Sequence, residues 1–114
     1  MSDSMRVGIV GSRNYRELES VRVFVRGLAK GTEVISGGAR GVDETAVSVA
    51  RECGLSVKIF FPDWSRGRGA GLARNQQIVN ESDIIVAFWD GKSRGTADTV
   101  RRAKAAGKPV EVFS

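Results

Sequence analysis

No histidine occurs in the 114 residues, and Cys53 is the single cysteine. Without histidine there is no Ser-His-Asp triad, no Cys-His nucleophile pair and none of the usual zinc ligand sets, so no metal site is expected. One cysteine cannot close an internal disulfide. Placed on the apolar face of a helical segment, Cys53 is expected to be a small core residue rather than a reactive thiol. Apolar runs are short, and none nears the roughly 20 residues of a membrane span. Met1-Ser2-Asp3-Ser4 lacks the start of a secretory signal. A cytoplasmic chain with no membrane contact is the expectation. Hydrophobic residues at 41% and charged residues at 27% give a globular balance, in a length that fits a single domain over residues 1–114.

What the sequence does hold is glycine and positive charge: 14 glycines, and 18 Lys+Arg against 13 Asp+Glu, a net +5. Such an excess favours an anionic partner without identifying it. The order of apolar segments says where these residues fall. Arg6–Val10 reads as a short buried strand, followed by a helix carrying Leu18, Val21, Val25 and Leu28 at helical spacing, with Gly31 placed to end it. A strand over Glu33–Ser36 leads through Gly37–Gly41 into a helix with Val42, Ala46, Val49, Ala50 and Cys53 on one face and Gly54 as its stop. Val57–Phe61 is the third strand, and a helix over Leu72–Asn80 follows a Gly/Arg-rich segment. Asp83–Phe88 is almost wholly apolar and reads as a central strand. The last helix turns Val100, Ala103 and Ala106 inward and stops at Gly107, and Pro109–Phe113 closes the chain as a fifth strand. Five strands joined by four helices predict an α/β fold: a Rossmann-like three-layer sandwich with a five-stranded parallel sheet and helices on both faces.

In such a sheet every strand-to-helix loop leaves at the carboxyl edge, where ligands bind. The four loops (Gly11–Tyr15, Ser36–Glu44, Phe61–Asn75 and Trp89–Thr96) hold nine of the 14 glycines. They also hold Arg13, Arg40, Arg66, Arg68, Arg74, Lys92 and Arg94, against the acids Asp43, Glu44, Asp63 and Asp90. Gly37-Gly38-Ala39-Arg40-Gly41 lies between a strand and a helix, where glycine lets backbone N–H groups approach a phosphate. Gly91-Lys92-Ser93-Arg94-Gly95-Thr96 repeats that arrangement with two hydroxyls added. Neither is a Walker A loop, and no Gly-x-Gly-x-x-Gly follows the first strand. Arg13, Arg40, Arg74 and Arg94 occupy loop or helix-start positions that can converge on phosphate. Trp64 and Trp89 lie on the same edge, either capping the core or stacking on a base. Asp43, Asp90 and Asp98 can hydrogen-bond ribose, orient an arginine or act as a general base; Asp43 and Asp98 are the catalytic candidates should a reaction occur.

With these motifs placed, the chain resembles the small YspA/YpsA-related branch of the SLOG superfamily. The residues that carry the likeness are Val10-Gly11-Ser12-Arg13, Val34–Asp43, Phe61-Pro62-Asp63-Trp64, Ala70–Asn75, Ala87–Gly91 and Ser93–Thr96, and it spans Arg6 to Phe113. The resemblance implies a Rossmann-like fold and a nucleotide or nucleotide-derived ligand, ADP-ribose-like compounds included. It also implies a sensor or sequestering role in a bacterial or phage setting and, since related proteins commonly dimerise, a homo-oligomer. The DprA loaders of single-stranded DNA have a similar Gly-Ser-Arg turn and a similar Ser-Gly-x-Ala-Arg-Gly-x-Asp loop. Here those places hold Arg13, Ser36, Gly37, Ala39, Arg40, Gly41 and Asp43, without the histidine usual after the aspartate. LOG-type phosphoribohydrolases share Gly95-Thr96, but Thr99 stands where their catalytic glutamate belongs.

The leading expectation is therefore nucleotide-ligand binding on Gly11, Ser12, Arg13, Ser36, Gly37, Gly38, Ala39, Arg40, Gly41, Asp43, Arg74, Asn75, Asp90, Ser93, Arg94, Gly95 and Thr96, with a base near Trp64 or Trp89. The alternatives are cleavage of an N-glycosidic or phosphate bond and DprA-like binding of single-stranded DNA. No cofactor beyond the nucleotide-type ligand is expected.

Overall fold

β1 (Arg6–Gly11), α1 (Leu18–Arg26), β2 (Glu33–Ser36), α2 (Val42–Glu52), β3 (Ser56–Ile59), α3 (Ala70–Glu81), β4 (Ile84–Phe88), α4 (Arg94–Ala105) and β5 (Val110–Phe113) alternate along the chain. A short 3-10 turn, Trp64–Arg66, precedes α3. The computed structural model describes residues 5–114, so the reading of Met1–Ser4 lies outside the described residues. The five strands form one parallel sheet in the order β3-β2-β1-β4-β5. β1 is thus the middle strand. The strand expected to be central, β4, lies beside it and is paired on both sides, which is why its residues are so uniformly apolar.

Each face of the sheet buries its own helix pair. Val21 and Val25 of α1, one turn apart, pack with Val42, Ala46, Val49 and Ala50 of α2 and with Val7, Ile9, Val34 and Phe88 of the strands. On the other face Ile78, Val79 and Ala103 meet Val10, Ile35, Ile85 and Ala87. The i, i+3, i+4 spacing of the apolar residues decides which side of each helix is buried. No helix among the described residues is long and apolar enough to cross a membrane.

The expected helix ends need correction where the chain turns. α1 stops at Gly27, a turn before Gly31, which takes φ +89° in the approach to β2. α2 closes with Gly54 N–H on Arg51 O and Leu55 N–H on Ala50 O, a Schellman motif whose apolar partner is Leu55. Leu55 therefore enters the core, and Cys53, at the cap, is exposed rather than buried. α4 ends the same way at Gly107, which leaves Ala106 exposed and Ala103 as the inward residue. Strand β3 ends at Ile59 rather than Phe61, and α3 begins two residues before Leu72.

Candidate functional site

The chain runs outward from β1 to β2 and β3, then returns to the other side of β1 for β4 and β5. The loops after β1 and β4 consequently part at the carboxyl edge, the place where parallel sheets open a crevice. A cavity of about 480 Å³ occupies it. Val10 and Gly11 at the end of β1 and Ile78 of α3 supply apolar wall. Arg13, Asn14, Ala39, Asp43, Arg74, Asn75, Asp90, Lys92, Ser93, Gly95, Thr96 and Thr99 supply the rest.

Three glycines let the loops close around it. A Cβ at Gly11 would lie 2.6 Å from Phe88 O and from Val42 Cβ, so β1 can end between β4 and α2 only without one. Gly37 accommodates the Arg74 guanidinium, whose Nη1 would sit 2.7 Å from an added Cβ. Gly41, at φ +78° and ψ −115°, brings the start of α2 against the backbone of Arg13.

Several of the loop N–H groups expected to meet phosphate are satisfied from within. Ser36 Oγ accepts the Gly38 N–H at 3.2 Å, and Asp43 Oδ2 accepts that of Ala39 at 3.2 Å. After β4, Asp90 Oδ1 accepts the N–H groups of Lys92 (2.8 Å) and Ser93 (2.9 Å), and its own N–H donates to Ser12 Oγ at 3.0 Å. Ser93 Oγ caps α4 by accepting the Thr96 N–H at 3.3 Å. Ser12, Ser36 and Asp90 thus shape the loops, and positive side chains add to the attraction of the cavity for anions. Those side chains are Arg13, Arg74 and Lys92.

Arg74 is the best anchored of them. Its Nη1 donates to Gly37 O and its Nε to Asn75 Oδ1 at 3.0 Å. Asn75 in turn donates to Asp98 Oδ2 at 3.1 Å. Burial pulls the Arg74 pKa down, Asp43 opposes it and Arg13 adds to it; a guanidinium stays charged throughout. Asp43 is the opposite case. Burial pushes its carboxyl up to about 6, against the pull of the Ala39 N–H and the Arg74 charge. Asp90, held by the Lys92 and Ser93 N–H groups, lies below the ordinary carboxylate value.

Several expected site residues stand elsewhere. Arg40 and Arg94 are exposed and do not line the cavity, because one precedes α2 on its outer side and the other opens α4 facing solvent. Ser12, Ser36, Gly37, Gly38 and Gly41 support the wall without lining it. Trp89 is half-buried, and its Nε1 donates to Ser93 O at 2.9 Å, which makes it a brace for the loop and not a stacking face. Trp64 is 64% exposed beside Phe61 at 67%, both outside the cavity. Asp98 does not line the cavity. It accepts from Arg101, from Arg102 at 2.7 Å and from Asn75, so it joins α4 to α3 and has no free edge for a general base. Val10, Asn14, Ile78 and Thr99 also line the cavity, although no glycine or charge pattern singles them out, and Lys92 joins them as one of the loop cations. Thr99 donates to Gly95 O at 3.1 Å and brings no carboxylate to the place of the LOG glutamate. Among the described residues, no group of three or more Cys, Asp or Glu side chains is disposed to hold a metal ion.

Comparison with known proteins bears on this geometry. Residues 1–61 match the family model of DNA recombination-mediator protein A. The chain is 36% identical over 119 residues to the Gene 61 protein of Mycobacterium phage D29, with 95% of each covered. Among solved structures it is similar to DNA processing protein A (DprA) from Streptococcus pneumoniae, with TM-score 0.83 and 22% identity over 96% of this chain and 50% of that one. It is also similar to DNA processing protein A from Helicobacter pylori, whose structure concerns its single-stranded DNA binding mode. There the TM-score is 0.73 at 26% identity, over 95% of this chain and 64% of that one. The chain spans from half to somewhat under two thirds of these two structures.

Proposed function

Because the chain belongs to the DNA recombination-mediator protein A family, we propose that its carboxyl-edge cavity binds single-stranded DNA, gripping the sugar–phosphate backbone. The observation that carries this reading is the convergence of Arg13, Arg74 and Lys92 on one cavity together with the amide of Asn14 and the hydroxyl of Thr96. Single-strand sites combine a positive groove for the backbone with aromatic faces for bases. The exposed rings of Trp64 and Phe61 stand outside the cavity as the second component.

Binding should weaken with salt. Two or three phosphates held there give a slope of log affinity against log salt of about −1.4 to −2, at roughly −0.7 per phosphate on a single strand. Arg13→Ala removes an exposed cation, so the fold should be unaffected while affinity falls about five- to tenfold and the slope drops by about 0.7. Arg40→Ala, outside the cavity, should stay within about twofold of the parent. Anisotropy titrations over 50 to 300 mM salt measure all three. A flat salt response, or Arg40→Ala as damaging as Arg13→Ala, would remove the cavity from the binding surface.

A free nucleotide-type ligand is the second reading, favoured by the cavity volume of about 480 Å³, which suits one nucleotide. It would serve a sensor or sequestering role in the YspA-related branch, with the chain acting in the cytoplasm as a homo-oligomer. Calorimetry with mononucleotides and ADP-ribose separates it from strand binding. The hydrolase reading is weaker, since Asp98 is fully engaged and Thr99 replaces the glutamate.

A further inference from the structure

Asp43 carries an acceptor that the protein leaves unused. Asp43 is among the residues that line the cavity, although it is only 5% exposed. Oδ2 accepts the Ala39 N–H, the Gly37 N–H lies close enough to favour the charged carboxylate as well, and Oδ1 is buried with no hydrogen-bond partner of its own among the described residues. Native structures rarely leave such an oxygen empty unless a ligand, ion or water fills it. The cavity hydroxyls do not supply the donor, since none of Ser93, Thr96 and Thr99 makes a hydrogen bond to Oδ1.

The chemistry of a DNA strand limits what the donor can be. Phosphates and internal deoxyribose rings carry acceptors only, so the donor is either a base N–H or the hydroxyl of a terminal sugar. No aromatic ring lines the cavity, while Trp64 and Phe61 offer their faces outside it. That arrangement keeps the base at the rim and brings the sugar and its phosphate in. We infer that Asp43 makes the cavity a strand-end site, in which a terminal sugar hydroxyl donates to Oδ1 while the adjoining phosphate lies among Arg13, Arg74 and Lys92. This rests on the single-stranded DNA reading above and adds a preference for ends.

Ligand changes test it on the unaltered protein. Short internally labelled strands are prepared with ordinary ends, with a 3′-deoxy end, with a 5′-deoxy end and with both. Anisotropy is expected to show about a tenfold loss for whichever single change removes the donor, which also tells the 3′ from the 5′ terminus, and the same loss for the doubly modified strand. Asp43→Ala, which leaves no side-chain group to meet the hydroxyl, should bring the ratio between ordinary and doubly modified strands from about ten to about one. Equal affinity of the parent protein for ordinary and doubly modified strands overturns the inference and leaves strand binding intact. No measurable affinity for any of the four strands overturns both.

Discussion

Gly41→Ala is expected to lower the stability of the fold by roughly 2–4 kcal/mol and to abolish strand binding at concentrations where the parent saturates. Two costs combine. The backbone at φ +78° and ψ −115° lies in a region that residues with a Cβ avoid, at about 1–3 kcal/mol. The added Cβ would also stand 2.6 Å from Arg13 O, a backbone atom that cannot move without its loop. Relief comes from withdrawing the Gly11–Tyr15 turn, which carries Arg13 away from Arg74 and opens the cavity. Gly31→Ala separates these costs. Its φ of +89° is similar, but an added Cβ meets nothing within 4 Å, so about 1 kcal/mol of strain and unchanged binding are expected. Urea denaturation followed by circular dichroism, paired with anisotropy, reads both quantities. Equal losses in the two variants would mean that strain alone, and not the approach of the two loops, sets the requirement for glycine.

The contrast between Gly41 and Gly31 also indicates how far the sequence is legible. Alternating apolar and amphipathic segments suffice for five strands, four helices and a parallel sheet: the inner strands β1, β2 and β4 are covered on both faces and carry little polar alternation, while the edge strands β3 and β5 keep an exposed polar residue between apolar ones. The working edge follows from the same topology. Side-chain direction does not. Arg13 and Arg40 look alike as loop arginines, yet one turns into the cavity and the other away, and the outcome depends on backbone angles around glycines that carry no pattern. Helix α4 is more legible than the glycine loop before it. Thr96 and Thr99 are three residues apart and share a face, whereas Asp98 is rotated about 200° from Thr96 at 100° per residue and meets α3 instead. The same spacing joins Asn75 to Ile78 on α3. Cys53 and Ala106 fail for one physical reason. An apolar face continues only while the helix does, and a Schellman turn hands the buried place to the residue after the glycine, as Leu55 shows.

Protein stability should be greater near pH 5 than at pH 7, and Asp43→Asn should remove that difference. The Asp43 carboxyl, ordinarily near 3.8, is pushed up to about 6 by burial. Between those values the folded chain keeps a proton that the unfolded chain has lost. Stability is therefore full below about 4, declines as pH rises through 6 and is level above it. A shift of this size corresponds to about 3 kcal/mol. The carboxylates of Asp83, Asp90 and Asp98 are shifted the other way, so their contribution is present at neutral pH and is lost only as pH falls through their lowered values. The two trends act in separate windows and place the maximum between them. An amide at position 43 can still accept the Ala39 N–H without ionising. Asp43→Asn should match the parent at pH 4.5 and exceed it by about 1–3 kcal/mol at pH 7. The charge matters to binding as well. Facing Arg13, Arg74, Lys92 and the second carboxylate, Asp90, an ionised Asp43 repels the phosphates of a strand, so parent affinity for end-blocked strands should rise several-fold from pH 7 to pH 5.5 while the amide variant stays level. Denaturation curves and titrations across pH 4.5–8 test both halves. If parent and variant follow the same pH profile, the buried carboxylate is not the group that sets it.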